Sequence, residues 1–531
     1  MKNKTRTQVI IFLSALILFH LAVNCLWHSS NKMPQGKGAF EHLNKTANML
    51  RIFEGDLKPH FYSQNHSYVY NIIFLTKKWP PFYYFSGLLF YILLFPLVGM
   101  ASIYAASSFF FALLIIFSYK TSRQNYNHKI GLFSAFFCSF IPYISYASRQ
   151  YNLEIASTAF IFISYYCLLK SNKFTNKKFS IIAGLFAGIS LLFKYTSLVF
   201  ILSYLLLTIR QLLQDSKKYD LKIWARNLAL FSTITTIISM LYYSNPMVIK
   251  SLFKRALHPD FISTQISRVY FYLNGMVFDL LGTIITSIFL VSSVIFLKRK
   301  KERNIFIFLI GIPLLVISSV PKSDLQNHLD YLIPVLPIIA MLCSATLLGI
   351  RKKIVRLALL TFTITVLVFQ FFAVSFIIPE GRPIFAHHGF NDISTFFAFS
   401  RPPIKKSPYT DVAEYISKSS AGKNIKIGLI SDSSDIFAVI FESHIFFRQD
   451  TWKMINFALD KNRFYRHLDT YDYLIYSSDT LQDFLNKDKR LTTIKDRFKL
   501  KKAYFFRSTI PFFNFEEKVF LFKNTYDHKI D

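Results

Sequence analysis

The chain has 531 residues, of which 52% are hydrophobic and only 17% charged, and its mean hydropathy is +0.33. A soluble globular chain carries about a quarter charged residues and sets its apolar ones in stripes; here they run in long blocks. The net charge of +32 does not describe a nucleic-acid-binding face. Positions 1–379 hold 38 Lys and Arg against 11 Asp and Glu, clustered between apolar blocks, whereas 380–531 hold 24 and 19. Basic clusters between apolar blocks are what membrane insertion requires, so membrane lipid is the expected partner and nucleic acid is excluded.

In chain order, residues 9–27, 102–119, 131–147, 280–297 and 355–378 are apolar over lengths that span, or nearly span, about 30 Å of hydrocarbon. The first block follows Lys2, Lys4 and Arg6, but it exceeds a signal-peptide core and no small-x-small site follows it, so it reads as a retained first span. The four cysteines, Cys25, Cys138, Cys167 and Cys343, fall in or beside apolar blocks and read as packing residues. Basic loops near 120–129, 170–178, 210–222, 298–303 and 351–356 alternate with poorer ones if the chain crosses about eleven times and 80–100 does not cross. That segment begins at Trp79-Pro80-Pro81, ends near Pro96 and Gly99, and suits an interfacial helix.

The expected fold is therefore a polytopic α-helical membrane domain over 1–378, with outer loops 28–100 and 244–274. A linker follows at 379–406, and 407–531 form an extracytoplasmic α/β domain. In this tail helices are predicted at 411–419, 436–446 and 480–498, and strands at 425–430, 471–476 and 518–523. It has no glycine-rich phosphate loop. The orientation puts the N-terminus in the cytoplasm of a cell (inner) membrane.

Carboxylates at a membrane border are costly to desolvate. Glu154 closes the short turn Ser148-Arg149-Gln150-Tyr151-Asn152-Leu153 and opens the next span. Its bland reading is a helix-start carboxylate paired with Arg149. Glu41 precedes a helical stretch in the first outer loop and could be a solvated helix-start residue; His42 beside it is by itself more often structural. Lys194 ends the apolar run from Gly184, so it either snorkels to the interface or binds an anionic headgroup. Lys250, Lys254, Arg255, His258 and Arg268 make the second outer loop basic and amphipathic, which suits a lipid phosphate or a plain interfacial helix.

In order, these residues resemble a bacterial polytopic glycosyltransferase of the GT-C type, near the dolichyl-phosphate-mannose protein mannosyltransferase and aminoarabinose transferase group. The resemblance runs over about 9 to 350. It is carried by Glu41-His42-Leu43 with Phe53-Glu54-Gly55-Asp56, by Lys78-Trp79-Pro80-Pro81, and by Arg149 through Glu154. The glycine run from Gly184 to Lys194 and Tyr331-Leu332-Ile333-Pro334-Val335-Leu336-Pro337 complete it. Two positions depart: Gly38-Ala39-Phe40 precede Glu41 where the family usually has an aspartate, and Asp330 stands where a basic residue is common.

The resemblance implies transfer of a sugar from a polyprenyl-phosphate donor to a lipid, glycan or protein acceptor on the outer face. Glu41 would be the base and Glu154 would orient the acceptor or a divalent metal, the one cofactor the resemblance leaves open. His42, Arg149, Lys194, Lys250, Lys254, Arg255 and His258 would bind substrate. The competing readings are a transporter or flippase and a non-catalytic scaffold. The first predicts paired interrupted spans in two similar halves, which the sequence lacks; the second predicts that Glu41 and Glu154 do not converge.

Overall fold

The computed structural model describes residues 2–30, 42–43, 45–46, 49–50, 53, 80–98, 102–214, 220–246, 248–250, 272–273, 275–319, 329–372, 375, 415–416, 426–431, 453–456, 473–477, 498–507 and 516–524. The chain divides into two compact units. One holds Met1–Ser29, Lys58–Pro379 and Ala386–Pro403, the other Ser30–Leu57, Glu380–Phe385 and Ile404–Asp531.

The described helices of the first unit are α1 (Lys2–Ser30), α2 (Phe82–Val98), α3 (Ser102–Asn125), α4 (His128–Phe140), α5 (Pro142–Arg149), α6 (Leu153–Lys170) and α7 (Lys177–Phe193). They continue as α8 (Ser197–Gln214), α9 (Leu221–Tyr243), α10 (Thr283–Phe296), α11 (Lys300–Phe306), α12 (Ile312–Ser319), α13 (Leu336–Leu348) and α14 (Lys353–Phe372). Among the described residues six helices are long and apolar enough to cross a membrane, or seven if the pair α4 and α5 counts as one bent span. This is a multi-pass membrane protein. The segment expected not to cross forms α2, a shorter apolar helix of 17 residues with Pro96 inside it.

Short polar residues fix where these helices begin. Asn127, Asn152 and Asn176 each accept from a backbone N–H of the first turn, at 3.0, 2.8 and 3.3 Å, and Asp220 does the same for α9. Each cap satisfies a backbone donor that the helix itself leaves without a partner. Between α4 and α5 the axis turns by 63° at Pro142, which lacks the N–H that continuation would need. Gly282, at φ 77°, makes the turn into α10, a conformation that side chains with a Cβ resist. The stretch 330–348 is 94% buried and 353–372 only 22%, so the first lies at the bundle's centre and the second at its rim.

Apolar burial cannot drive helix pairing in lipid, so close packing must. The glycines of the 184–194 run provide it: a Cβ at Gly184 would lie 2.5 Å from the Phe231 carbonyl oxygen, and one at Gly188 would lie 2.6 Å from Ile238 Cβ. Thr235 on α9 donates to the Gly184 carbonyl at 3.1 Å across this seam. On the other side of α7, Ser164 of α6 donates to the Ala183 carbonyl at 2.8 Å.

In the second unit the described strands are β1 (Lys426–Ser431), β2 (Lys453–Asn456), β3 (Tyr473–Ser477), β4 (Phe498–Arg507) and β5 (Glu516–Asn524), in the order β2-β1-β3-β5-β4. The β2-β1-β3 half is parallel and the β3-β5-β4 half antiparallel. β1, β3 and β5 match predicted strands to within two residues. Two were not predicted, β2 and β4, and both are edges of the sheet. Phe498, expected to end a helix, opens β4 instead; Lys499, Lys501 and Lys502 blur its alternation, as lysines on edge strands do. The predicted helix 436–446 and nearly all of 480–498 lie outside the described residues.

Gly184→Val and Gly188→Val should each overpack the α7–α9 seam and cost about 1–3 kcal/mol. Thermal unfolding of purified protein should show a lower Tm for both, and an unchanged one for Gly311→Ala, where a Cβ meets nothing nearer than 3.8 Å.

Candidate functional site

Two helix ends meet at the site. Glu154 lies in the first turn of α6, where exposed N–H groups favour a carboxylate, and Asn152 caps its own N–H at 2.8 Å. Lys194 is the residue that stops α7, its N–H still bonded to the Ser190 carbonyl at 3.0 Å, where unpaired carbonyls favour a cation. The Lys194 ammonium and the Glu154 carboxylate form a buried ion pair. The same ammonium lies 3.9 Å from the centre of the Tyr331 ring, so one face meets a carboxylate and another a π-system.

The sequence suggested Arg149 as the local partner of Glu154. The ion pair instead joins Glu154 to Lys194, forty positions on. Nor does Lys194 snorkel: it is 2% exposed. Arg149, also buried, donates from Nε to Asn24 Oδ1 at 3.0 Å and from Nη1 to Ser375 Oγ at 2.7 Å, and lies 5.1 Å from the Phe371 ring. Asn24 in turn donates to Ser148 Oγ at 3.2 Å. Arg149 therefore ties the first and last parts of the membrane unit to the turn that carries Glu154.

Around this pair the packing is tyrosine-rich. Tyr83 and Tyr151 face each other at 4.6 Å, Tyr83 shares a 2.7 Å hydrogen bond with Ser107, and the Tyr151 hydroxyl donates to the Tyr83 carbonyl at 3.3 Å. Gly87 gives the Tyr151 ring its place, since a Cβ there would collide with the phenol. Ser157 and Ser197 share a 2.6 Å bond that fastens α6 to the start of α8. Tyr143 donates to Asp330, the residue before Tyr331.

Residues 78–244 match the family model described as dolichyl-phosphate-mannose-protein mannosyltransferase. Two solved structures of ArnT from Cupriavidus metallidurans align over 97% of this chain and 98% of theirs. The apo form does so at 11% identity with a TM-score of 0.55, and the form bound to undecaprenyl phosphate at 13% with 0.57. The chain has a GT-C type fold. No curated protein sequence matches it significantly.

Within that GT-C fold, Arg149, Glu154 and Lys194 all fall inside the stretch that matches the family model, and the fold brings them to neighbouring helix ends. His42 belongs to the second unit, where it is helical and buried, its carbonyl accepting from Thr46 at 3.2 Å. Lys250 is exposed. Glu41, Lys254, Arg255, His258 and Arg268 lie outside the described residues. The sequence marked Tyr331 only as the start of the Tyr331–Pro337 element, and did not single out Tyr143, Asn24 or Ser375. Polar residues inside apolar blocks were the available signal for Asn24 and Ser375. Among the described residues no three His, Cys, Asp or Glu side chains gather as metal ligands. An ammonium against Glu154 also opposes a second cation there, so these residues do not fit a divalent metal.

Breaking a buried ion pair from one side leaves the other charge stranded. Glu154→Gln and Lys194→Met should each lower stability by about 3–5 kcal/mol. The double variant should recover much of that loss, which a double-mutant cycle on thermal unfolding would read as strong coupling.

Proposed function

We propose that this protein is a membrane glycosyltransferase that moves a sugar from a polyprenyl-phosphate donor to a lipid, glycan or protein acceptor at the outer face of the membrane. The observation that carries the reading is a coincidence of place. The 78–244 match to a lipid-phosphate-sugar transferase family contains the buried Lys194–Glu154 pair, and the similar fold of ArnT has been solved with undecaprenyl phosphate bound.

In this account an acceptor hydroxyl loses its proton to Glu41 and attacks C1 of the sugar. The bond between C1 and the phosphate oxygen breaks, and the lipid phosphate leaves with the electron pair. Such a displacement needs one positioned base and a cation where negative charge develops. Lys194 supplies the cation, with Lys250, Lys254, Arg255 and His258 of the second outer loop completing the phosphate site, and His42 and Arg149 assisting. Glu154 holds Lys194 in place and orients the acceptor; no step runs through a metal. The topology that accompanies this reading has about eleven crossings, a cytoplasmic N-terminus and an extracytoplasmic carboxy-terminal domain in the cell (inner) membrane.

Glu41→Gln should abolish sugar transfer in membranes from cells expressing the variant, while yield and thermal unfolding match the wild type. Full transfer by that variant would remove Glu41 as the base.

A further inference from the structure

A groove lies at the opposite, basic end of the bundle. Between α8 and the helix formed by α11 and α12, Leu206, Ile209, Arg210, Leu213, Gln214 and Phe308 line an open groove of 410 Å³. The groove exists because the α11–α12 helix is not regular. Residues Ile307–Gly311 form a π turn in which the Ile312 N–H bonds back to the Ile307 carbonyl, five residues away. The wider turn carries Phe308 at the groove wall opposite α8.

Three observations assign an occupant. Most of the lining is aliphatic, and Leu206 and Leu213 are 45% and 67% exposed on a helix that crosses the membrane, so the groove opens to acyl chains. Arg210 sits at its edge with its guanidinium 5.5 Å from the Phe308 ring, near the helix's last turn and hence at headgroup depth. Lys173 brings a second positive charge to the same helix end, its ammonium bonded to the Gln211 carbonyl at 3.3 Å. Lys173 is placed there by strain: Asn172, Lys173 and Phe174 are three successive residues at φ 49°, 57° and 65°. Phe174 is pinned there by Ser171, which accepts from its N–H at 3.0 Å, and by Asn227, which donates to its carbonyl at 2.7 Å.

We propose that this groove binds an anionic diacyl phospholipid, one acyl chain lying along Leu206, Ile209, Leu213 and Phe308 and the phosphodiester meeting Arg210. Apolar lining and a cation at one end are the two halves of such a ligand. The site is independent of the proposed transferase chemistry.

The test is native mass spectrometry of the full-length, detergent-purified protein titrated with phosphatidylglycerol or phosphatidylcholine. Wild type should retain phosphatidylglycerol in preference to phosphatidylcholine. Arg210→Ala and Arg210→Gln should each weaken phosphatidylglycerol retention by about five-fold and leave phosphatidylcholine unchanged. Leu206→Trp, which fills the groove, should weaken both. Arg226→Ala, at an exposed arginine of α9 outside the groove, should change neither. No preference in the wild type, unchanged retention in both Arg210 variants, or an equal loss in Arg226→Ala would overturn the proposal. Because Arg210 is exposed, its loss is not expected to unfold the protein.

Discussion

A lysine and a glutamate brought together inside an apolar bundle lose most of their hydration, and their mutual attraction has to offset that loss. The fold meets that cost by geometry. The carboxylate stands at the start of α6 and the ammonium at the end of α7, each at the helix end that favours its charge, and the Tyr331 ring covers a further face of the ammonium. Helix starts and stops therefore matter more here than helix lengths. Asn152, which caps α6, and the turn Lys194-Tyr195-Thr196, which separates α7 from α8, fix the pair's position.

That placement depends in turn on close packing along the same helices. Gly184 and Gly188 let α7 approach α9 until backbone atoms nearly touch, while Ser164 and Ser157 tie α6 to its neighbours α7 and α8. Arg149 performs the corresponding task for the turn before α6, with bonds to Asn24 in the first helix and Ser375 beyond the last. At the other end of these helices, the left-handed run at Asn172–Phe174 and the π turn at Ile307–Gly311 border the basic groove.

Much of this was legible in the sequence, and for physical reasons. Long apolar blocks and basic loops report directly on membrane crossing, and Glu41-His42-Leu43 with Phe53-Glu54-Gly55-Asp56, Lys78-Trp79-Pro80-Pro81, Arg149 through Glu154, Gly184 to Lys194 and the element opening at Tyr331 carried the GT-C resemblance. The partner of Glu154 was not legible. Arg149 is five residues away and Lys194 forty, so proximity in the chain pointed to the wrong cation; only the antiparallel pairing of α6 and α7 returns Lys194 to the start of α6. In the carboxy-terminal sheet, β1, β3 and β5 announced themselves by apolar runs. The edge strands did not, because β2 is only four residues long and β4 is studded with lysines.

We propose that Lys194, held in place by Glu154, is the cation that meets a lipid-linked phosphate. The most direct measurement is a cryo-electron microscopy structure of the full-length protein with undecaprenyl phosphate added. The account predicts density for the phosphate within hydrogen-bonding reach of the Lys194 ammonium, with Glu154 still in contact with it. A lipid phosphate bound elsewhere, with the buried pair closed to it, would contradict the account.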